Sequence, residues 1–201
     1  MSFVGLFERL YERHPLGVAE PELAEAEARL GVAIPPPLRE LHLACGREPC
    51  VLASHNRFFS PRALERSDGR IIFCEENQGV CVWGCLPGHE DPLAEVGNVL
   101  RDDTLEWHSE QARLSRFLAI QLYLQTAWGG FEHAGDLQGP DPVMSRIESE
   151  WEEVVRHQDL TIYWKPGALI SALDGQPFLT GAARTEGGFV RLLGDLGFEP
   201  L

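Results

Sequence analysis

From Ile71 to Val96 the chain reads IIFCEENQGVCVWGCLPGHEDPLAEV, and the first half of that stretch leaves the backbone few options. Ile71 to Cys74 and Val80 to Cys85 are short runs of β-branched, aromatic or small residues. The residues between them, Glu75 to Gly79, have the length and the glycine of a wide hairpin loop. So short a connection joins antiparallel neighbours, because a parallel crossover needs a dozen residues or more. The stretch therefore predicts two adjacent, mostly buried strands. Asn77 and Gly79 tolerate the positive φ that such a loop needs, whereas Glu75 and Glu76 are too costly to bury unpaired and are expected to face water.

Around this hairpin the chain alternates helical and extended patterns. Val4 to Tyr11 is a short amphipathic helix ending near His14 and Pro15. Glu22 to Leu30 is a second helix, rich in alanine and glutamate, with Pro21 in its first turn and Gly31 as its stop. Pro36 and Pro37 open a third, which turns Leu38 and Leu41 toward the core. Strands dominate from Phe58 to about Val99. The longest helix is predicted over Ser109 to Trp128, where Leu114, Phe117, Leu118, Gln121, Leu124, Ala127 and Trp128 follow helical spacing. Ala119, Ile120, Leu122 and Tyr123 add apolar surface on its other sides, so it is expected to be covered on more than one face.

Gly135 to Pro142, rich in Gly, Pro and Asp, reads as a surface connection between a core domain, 1–134, and an extension packed on it, 135–201. In that extension Met144, Ile147, Trp151, Val154 and Val155 form a helical stripe opposite four glutamates. Leu160 to Trp164 reads as a strand, and Ala168 to Leu173 and Pro177 to Ala182 flank a turn at Asp174 and Gly175. Phe189 to Leu196 is a closing helix. The fold class is therefore α+β, a central and mainly antiparallel sheet packed by helices.

With 201 residues, 44% of them hydrophobic, the chain can bury a substantial core without staples. Its 31 acidic and 17 basic residues give a net charge of -14, which repels nucleic acid and anionic membranes and suits a basic protein partner. The same acidic excess also serves plain solubility. No apolar run is long enough to span a membrane, and residues 1–5 lack the basic start of a signal peptide, so a cytoplasmic protein is expected. The five cysteines, Cys45, Cys50, Cys74, Cys81 and Cys85, fit a reducing compartment and behave as small buried hydrophobes. They make no Cys-x-x-Cys pair, and no metal or cofactor is expected.

The chain carries no phosphate loop, no nucleophile elbow, no His-Glu-x-x-His pair and no dinucleotide glycine motif. Its single lysine, Lys165, adjoins a Pro-Gly turn. Glu75 with Glu76, and Asp102 with Asp103, are the paired carboxylates available for acid–base work, but neighbours on a turn seldom converge on one reacting atom. Acids surround Cys74 and Cys81, which disfavours a thiolate. The reading is of a protein that is not an enzyme.

Several features recur in a set order. Residues 23–30 (LAEAEARL) are followed by Gly31, Ile34 and Pro35, then by Leu38, Leu41, Leu43 and Gly46. The hairpin comes next, then Asp91, Pro92, Val96, Trp107 and residues 114–118 (LSRFL). This order, over roughly 20–128, resembles the SUKH superfamily, which groups fungal cell-wall-synthesis regulators with bacterial toxin-immunity proteins. The tripled proline at Pro35 to Pro37 and the region after Gly130 depart from the pattern. The resemblance implies a SUKH-like fold and a non-catalytic immunity protein that occludes a polymorphic toxin, such as a basic nuclease. The alternative is an intracellular scaffold or regulatory binding module of the same fold, and an uncharacterised hydrolase comes third. For a basic toxin domain the expected contacts are Glu75, Glu76, Asp102 and Asp103, with Trp107 as an anchor at the sheet end. The bland reading of these acids is solvated turns, and the sequence leaves both open, as it does the oligomeric state.

Overall fold

The computed structural model describes residues 2–101 and 104–201. It opens with helices α1 (Phe3–Tyr11), α2 (Glu20–Leu30), α3 (Pro36–Cys45) and the one-turn α4 (Pro49–Leu52). Ser2 caps α1, its hydroxyl accepting the Gly5 N–H at 3.1 Å. Prolines occupy the first turns of α2 and α3, where their missing N–H leaves no helical bond unmade. Each helix buries one stripe: Leu6, Phe7 and Leu10 on α1, Leu23, Ala26 and Leu30 on α2, Leu38 and Leu41 on α3. The link between α1 and α2 is tied down by Glu48. This carboxylate, 2% exposed, accepts from Arg13 Nη1 at 2.8 Å and from the Leu16 N–H at 2.7 Å. Arg13 holds it below the usual carboxylate range.

The expected hairpin is present. Strands β1 (Arg57–Phe58), β2 (Glu65–Ser67), β3 (Arg70–Glu75), β4 (Cys81–Cys85), β5 (Leu93–Val99) and β6 (Leu105–Arg113) form an antiparallel sheet in the order β1-β3-β4-β5-β6, with β2 also on β3. In β3 and β4, Ile71 pairs with Cys85 and Glu75 with Val82, and a bulge lies between Ile72 and Cys74. Ile71, Phe73, Cys74, Trp83 and Cys85 are buried. Val80 departs from its reading as a buried strand residue: it lies before β4 and is 58% exposed.

The long helix starts later than its sequence suggests. Helix α5 runs Leu114–Gln125, and Ser109 to Arg113 belong to β6. Ser109, Glu110 and Gln111 suit a helix start as well as a strand, and pairing with β5 decides between them, with Ser109 opposite Glu95 and Arg113 opposite Leu93. The multiple covering of α5 is observed. Phe117 packs on Phe73 and Trp83, each with ring centroids 6.1 Å apart, and Ile120, Leu122, Tyr123 and Leu124 are buried too.

A second sheet follows. Its elements are β7 (His133–Gln138), α6 (Asp141–Glu150), β8 (Glu152–His157), β9 (Leu160–Lys165), β10 (Ala168–Leu173), β11 (Phe178–Ala183), α7 (Glu186–Leu196) and β12 (Glu199–Pro200), with strand order β12-β7-β11-β10-β9-β8. Two readings are corrected here. Half of the segment expected as a surface connection, residues 135–138, is strand β7, inside the sheet, because Gly135 lets the Glu199 carbonyl and the Phe189 ring approach where any side chain would collide. The helical stripe from Met144 to Val155 breaks at Trp151, and Val154 and Val155 lie in β8, where Val155 pairs with Ile162 of β9 and Val154 sits at a bulge.

This second sheet is a middle layer. Val155, Ile162, Leu169 and Ala182 on one face join the core of α1 to α5 and the first sheet, while Ile170 and Leu179 on the other pack with Phe189, Leu192 and Leu196 of α7 and Ile147 of α6. Among the described residues, no helix is long and apolar enough to cross a membrane.

Candidate partner-binding surface

Register places the sequence-predicted residues. Across the first sheet Arg57, Glu75, Val82, Gly97 and Trp107 form one row. Directly opposed residues of antiparallel strands share a face. This row lies on the face opposite Trp83 and Phe58, the face that α5 covers. In the next row toward the sheet end, the Val99 N–H donates to the Val80 carbonyl at 3.0 Å and Val99 pairs with Leu105. Val82, Leu105 and Trp107 are half-buried, whereas Val80, Val99 and the adjacent Leu100 are 58%, 39% and 43% exposed. This outer face thus ends in an apolar strip.

Trp107 lies flat on the sheet because two glycines make room for it. A methyl group at Gly97 would sit 3.0 Å from the indole ring, and one at Gly84 would sit 3.2 Å from it. The ring is then fixed from the side: its Nε1 donates to Asp68 at 3.0 Å, and the Arg70 guanidinium stacks 4.6 Å from its centroid. Arg70 is held in turn by both oxygens of Glu95, at 2.9 and 3.0 Å. The indole is a pre-ordered plate rather than a free anchor, and it presents a defined surface without further loss of rotamer freedom.

The two hairpin acids behave differently. Arg57 Nε donates to Glu75 at 2.9 Å, so Glu75 already has a cationic partner. Glu76 makes no ion pair among the described residues and uses Oε2 to accept the Gln78 N–H at 2.7 Å, which braces the loop. Asp102 and Asp103, also expected as contacts, lie outside the described residues.

Opposite the loop stands a wall that sequence reasoning missed, made by His55, Asn56 and Arg57. Gln125, fully buried at the end of α5, sets it. Its Oε1 accepts the His55 and Asn56 N–H groups at 2.9 and 2.8 Å, and its Nε2 donates to the Val51 and Asn56 carbonyls at 2.8 and 2.6 Å. His55 packs edge-on against Trp128, hydrogen-bonds Asn77 at 3.3 Å, and has its pKa lowered by burial. The groove between wall and loop encloses about 440 Å³ and is mostly polar. A glutamine closing the apolar run of residues 122–124 is the sequence signal for it.

Reactive chemistry is muted elsewhere. Burial pushes Cys45 and Cys85 up to about 12 and Cys81 to about 11, and all five thiols are free. Among the described residues, no group of three His, Cys, Asp or Glu could hold a metal ion. No protein-family model matches the chain, and neither does any curated protein or any solved structure.

Proposed function

We propose that the chain is a non-catalytic binding protein that neutralises a basic toxin domain by occlusion, meeting it through the outer face and loop end of the first sheet. The observation that carries this reading is the juxtaposition there of Val80, Val99 and Leu100, exposed and apolar, with the carboxylate of Glu76, which makes no ion pair among the described residues, and the fixed indole of Trp107. An apolar centre with a charged rim and an immobilised tryptophan is the anatomy of a protein interface. The net charge of -14 favours a basic partner. The toxin-immunity part of the reading rests on the SUKH resemblance of residues 20–128 alone.

The test is co-expression with the product of the neighbouring reading frame, followed by association kinetics at several salt concentrations. Reversing Glu75 and Glu76 to Lys is expected to slow association roughly tenfold at low salt and to flatten its salt dependence, with the fold intact. Val80→Ser with Val99→Ser is expected to speed dissociation instead. Unchanged kinetics in both variants would remove this surface from the interface.

A further inference from the structure

On the far side of the second sheet, residues of α6, α7 and the β9–β10 turn line a cleft of about 220 Å³. Its walls are apolar: Trp151 just past α6, Pro166 and Ala168 beside the turn, Leu192 and Leu196 on α7. Its rim carries three cations, Arg146, Lys165 and Arg191, against two carboxylates, Glu150 and Asp195. One positive charge is left in excess, in a chain whose net charge is -14.

The pairing on this rim is unequal. Glu150 accepts from Arg146 Nε at 2.8 Å and from Lys165 Nζ at 3.1 Å, so both its oxygens are engaged. Arg146 also donates to the Asp195 carbonyl at 2.9 Å. Lys165, the only lysine of the chain, is thereby held 5.0 Å from the centre of the Trp151 ring. Arg191 alone of the three makes no ion pair among the described residues; its guanidinium reaches back toward Gly188 in the first turn of α7.

We propose that this cleft binds a small aromatic carboxylate, the ring against Trp151, Leu192 and Leu196 and the carboxylate on Arg191. The size fits, since an apolar cavity of about 150 Å³ is enough to hold benzene. The charge fits as well: a guanidinium receives a carboxylate through two parallel hydrogen bonds, and the neighbouring cations are already occupied by Glu150. A neutral ring leaves Arg191 unused, and a carboxylate without a ring leaves the apolar walls wet.

The experiment uses the full chain and benzoate as the probe, followed by ¹H–¹⁵N NMR at the Arg191 side chain, the Trp151 indole and the Gly188 amide. Saturable shifts at all three are expected, with benzamide and acetate each at least about tenfold weaker, as loss of a charge-assisted pair or of ring burial implies. Arg191→Gln, at an exposed position that leaves the fold unchanged, is expected to weaken benzoate at least about tenfold, and Arg191→Lys to recover part of the loss. Equal binding of benzamide, an unchanged affinity in Arg191→Gln, or no saturable shift up to about 20 mM benzoate overturns the proposal.

Discussion

The two sheets of this molecule have the same number of strands and the same antiparallel pairing, yet they are used differently. The second is buried on both faces at β9 and β10, each with four consecutive buried residues. The first has one buried face, and its last strand, β6, is mostly exposed or half-buried. Burial on two faces leaves strands no broad surface of their own to offer. A sheet covered on one side keeps an ordered face that a partner can meet without rearranging the core.

The largest expected effect comes from the doubly covered sheet. Ile162 in β9 is fully buried beneath the core of α1 to α5. Ile162→Asn buries an amide with no partner and opens a cavity, and is expected to cost about 4 kcal/mol or more in urea unfolding. A cost below about 2 kcal/mol would mean that this sheet is not the packed middle layer described.

Next in size is an acid effect in the helices that cover the first sheet. His42 on α3 is fully buried, neither ring nitrogen has a hydrogen-bond partner among the described residues, and burial lowers its pKa from 6.5 to about 4. The unfolded chain therefore binds the proton first. Stability is whole above about pH 6.5 and falls as the pH drops toward 4, by a total of about 3 kcal/mol. His42→Leu is expected to fold at neutral pH and to lose that part of the slope between pH 6.5 and 4. An unchanged slope would place the acid sensitivity in other groups.

Glu48 gives a smaller effect in the same layer. Removing it as Glu48→Ala leaves the Leu16 N–H without its acceptor and Arg13 without its partner, but the Arg13 side chain is 49% exposed and rehydrates. About 2 kcal/mol is expected. Because the folded carboxyl has the lower pKa, its contribution is present above the ordinary value of 4.5 and fades as the pH falls below it. Urea unfolding at pH 7 and pH 3 measures both parts, and a cost that is equal at the two values would contradict the assignment.

The sequence revealed the elements better than their surroundings. The alanines and glutamates of α2 and the apolar runs around Glu75 to Gly79 are local signals, and local signals survive folding. The strand from Ser109 to Arg113 and the break at Trp151 depend on which neighbour is available to pair, which periodicity does not contain. The same holds for the candidate site. Glu75 and Glu76 could be found because a hairpin loop announces itself. Val80, Val99 and Leu100 could not, because their exposure follows from register and from which face the helices cover. Nor could sequence show that Arg57 pairs with Glu75, since that pair joins residues of two strands that are not consecutive in the chain.

The smallest expected effect is the sharpest test of the contrast between the sheets. Val82 in β4 stands on the outer face, between Glu75 and Gly97 in its row, and is only half-buried. Val82→Asn removes apolar contact and some β-propensity, yet the new amide can reach water. The cost is therefore expected to stay below about 1 kcal/mol, against about 4 kcal/mol or more for the same chemistry at Ile162. Measuring it at two protein concentrations separates two outcomes. A small, concentration-independent cost means that the face is open in the free protein and available to another molecule. A cost above about 2 kcal/mol that grows with protein concentration means that a second copy of the chain already covers it, because only association makes the stability of a folded protein depend on how much of it is present.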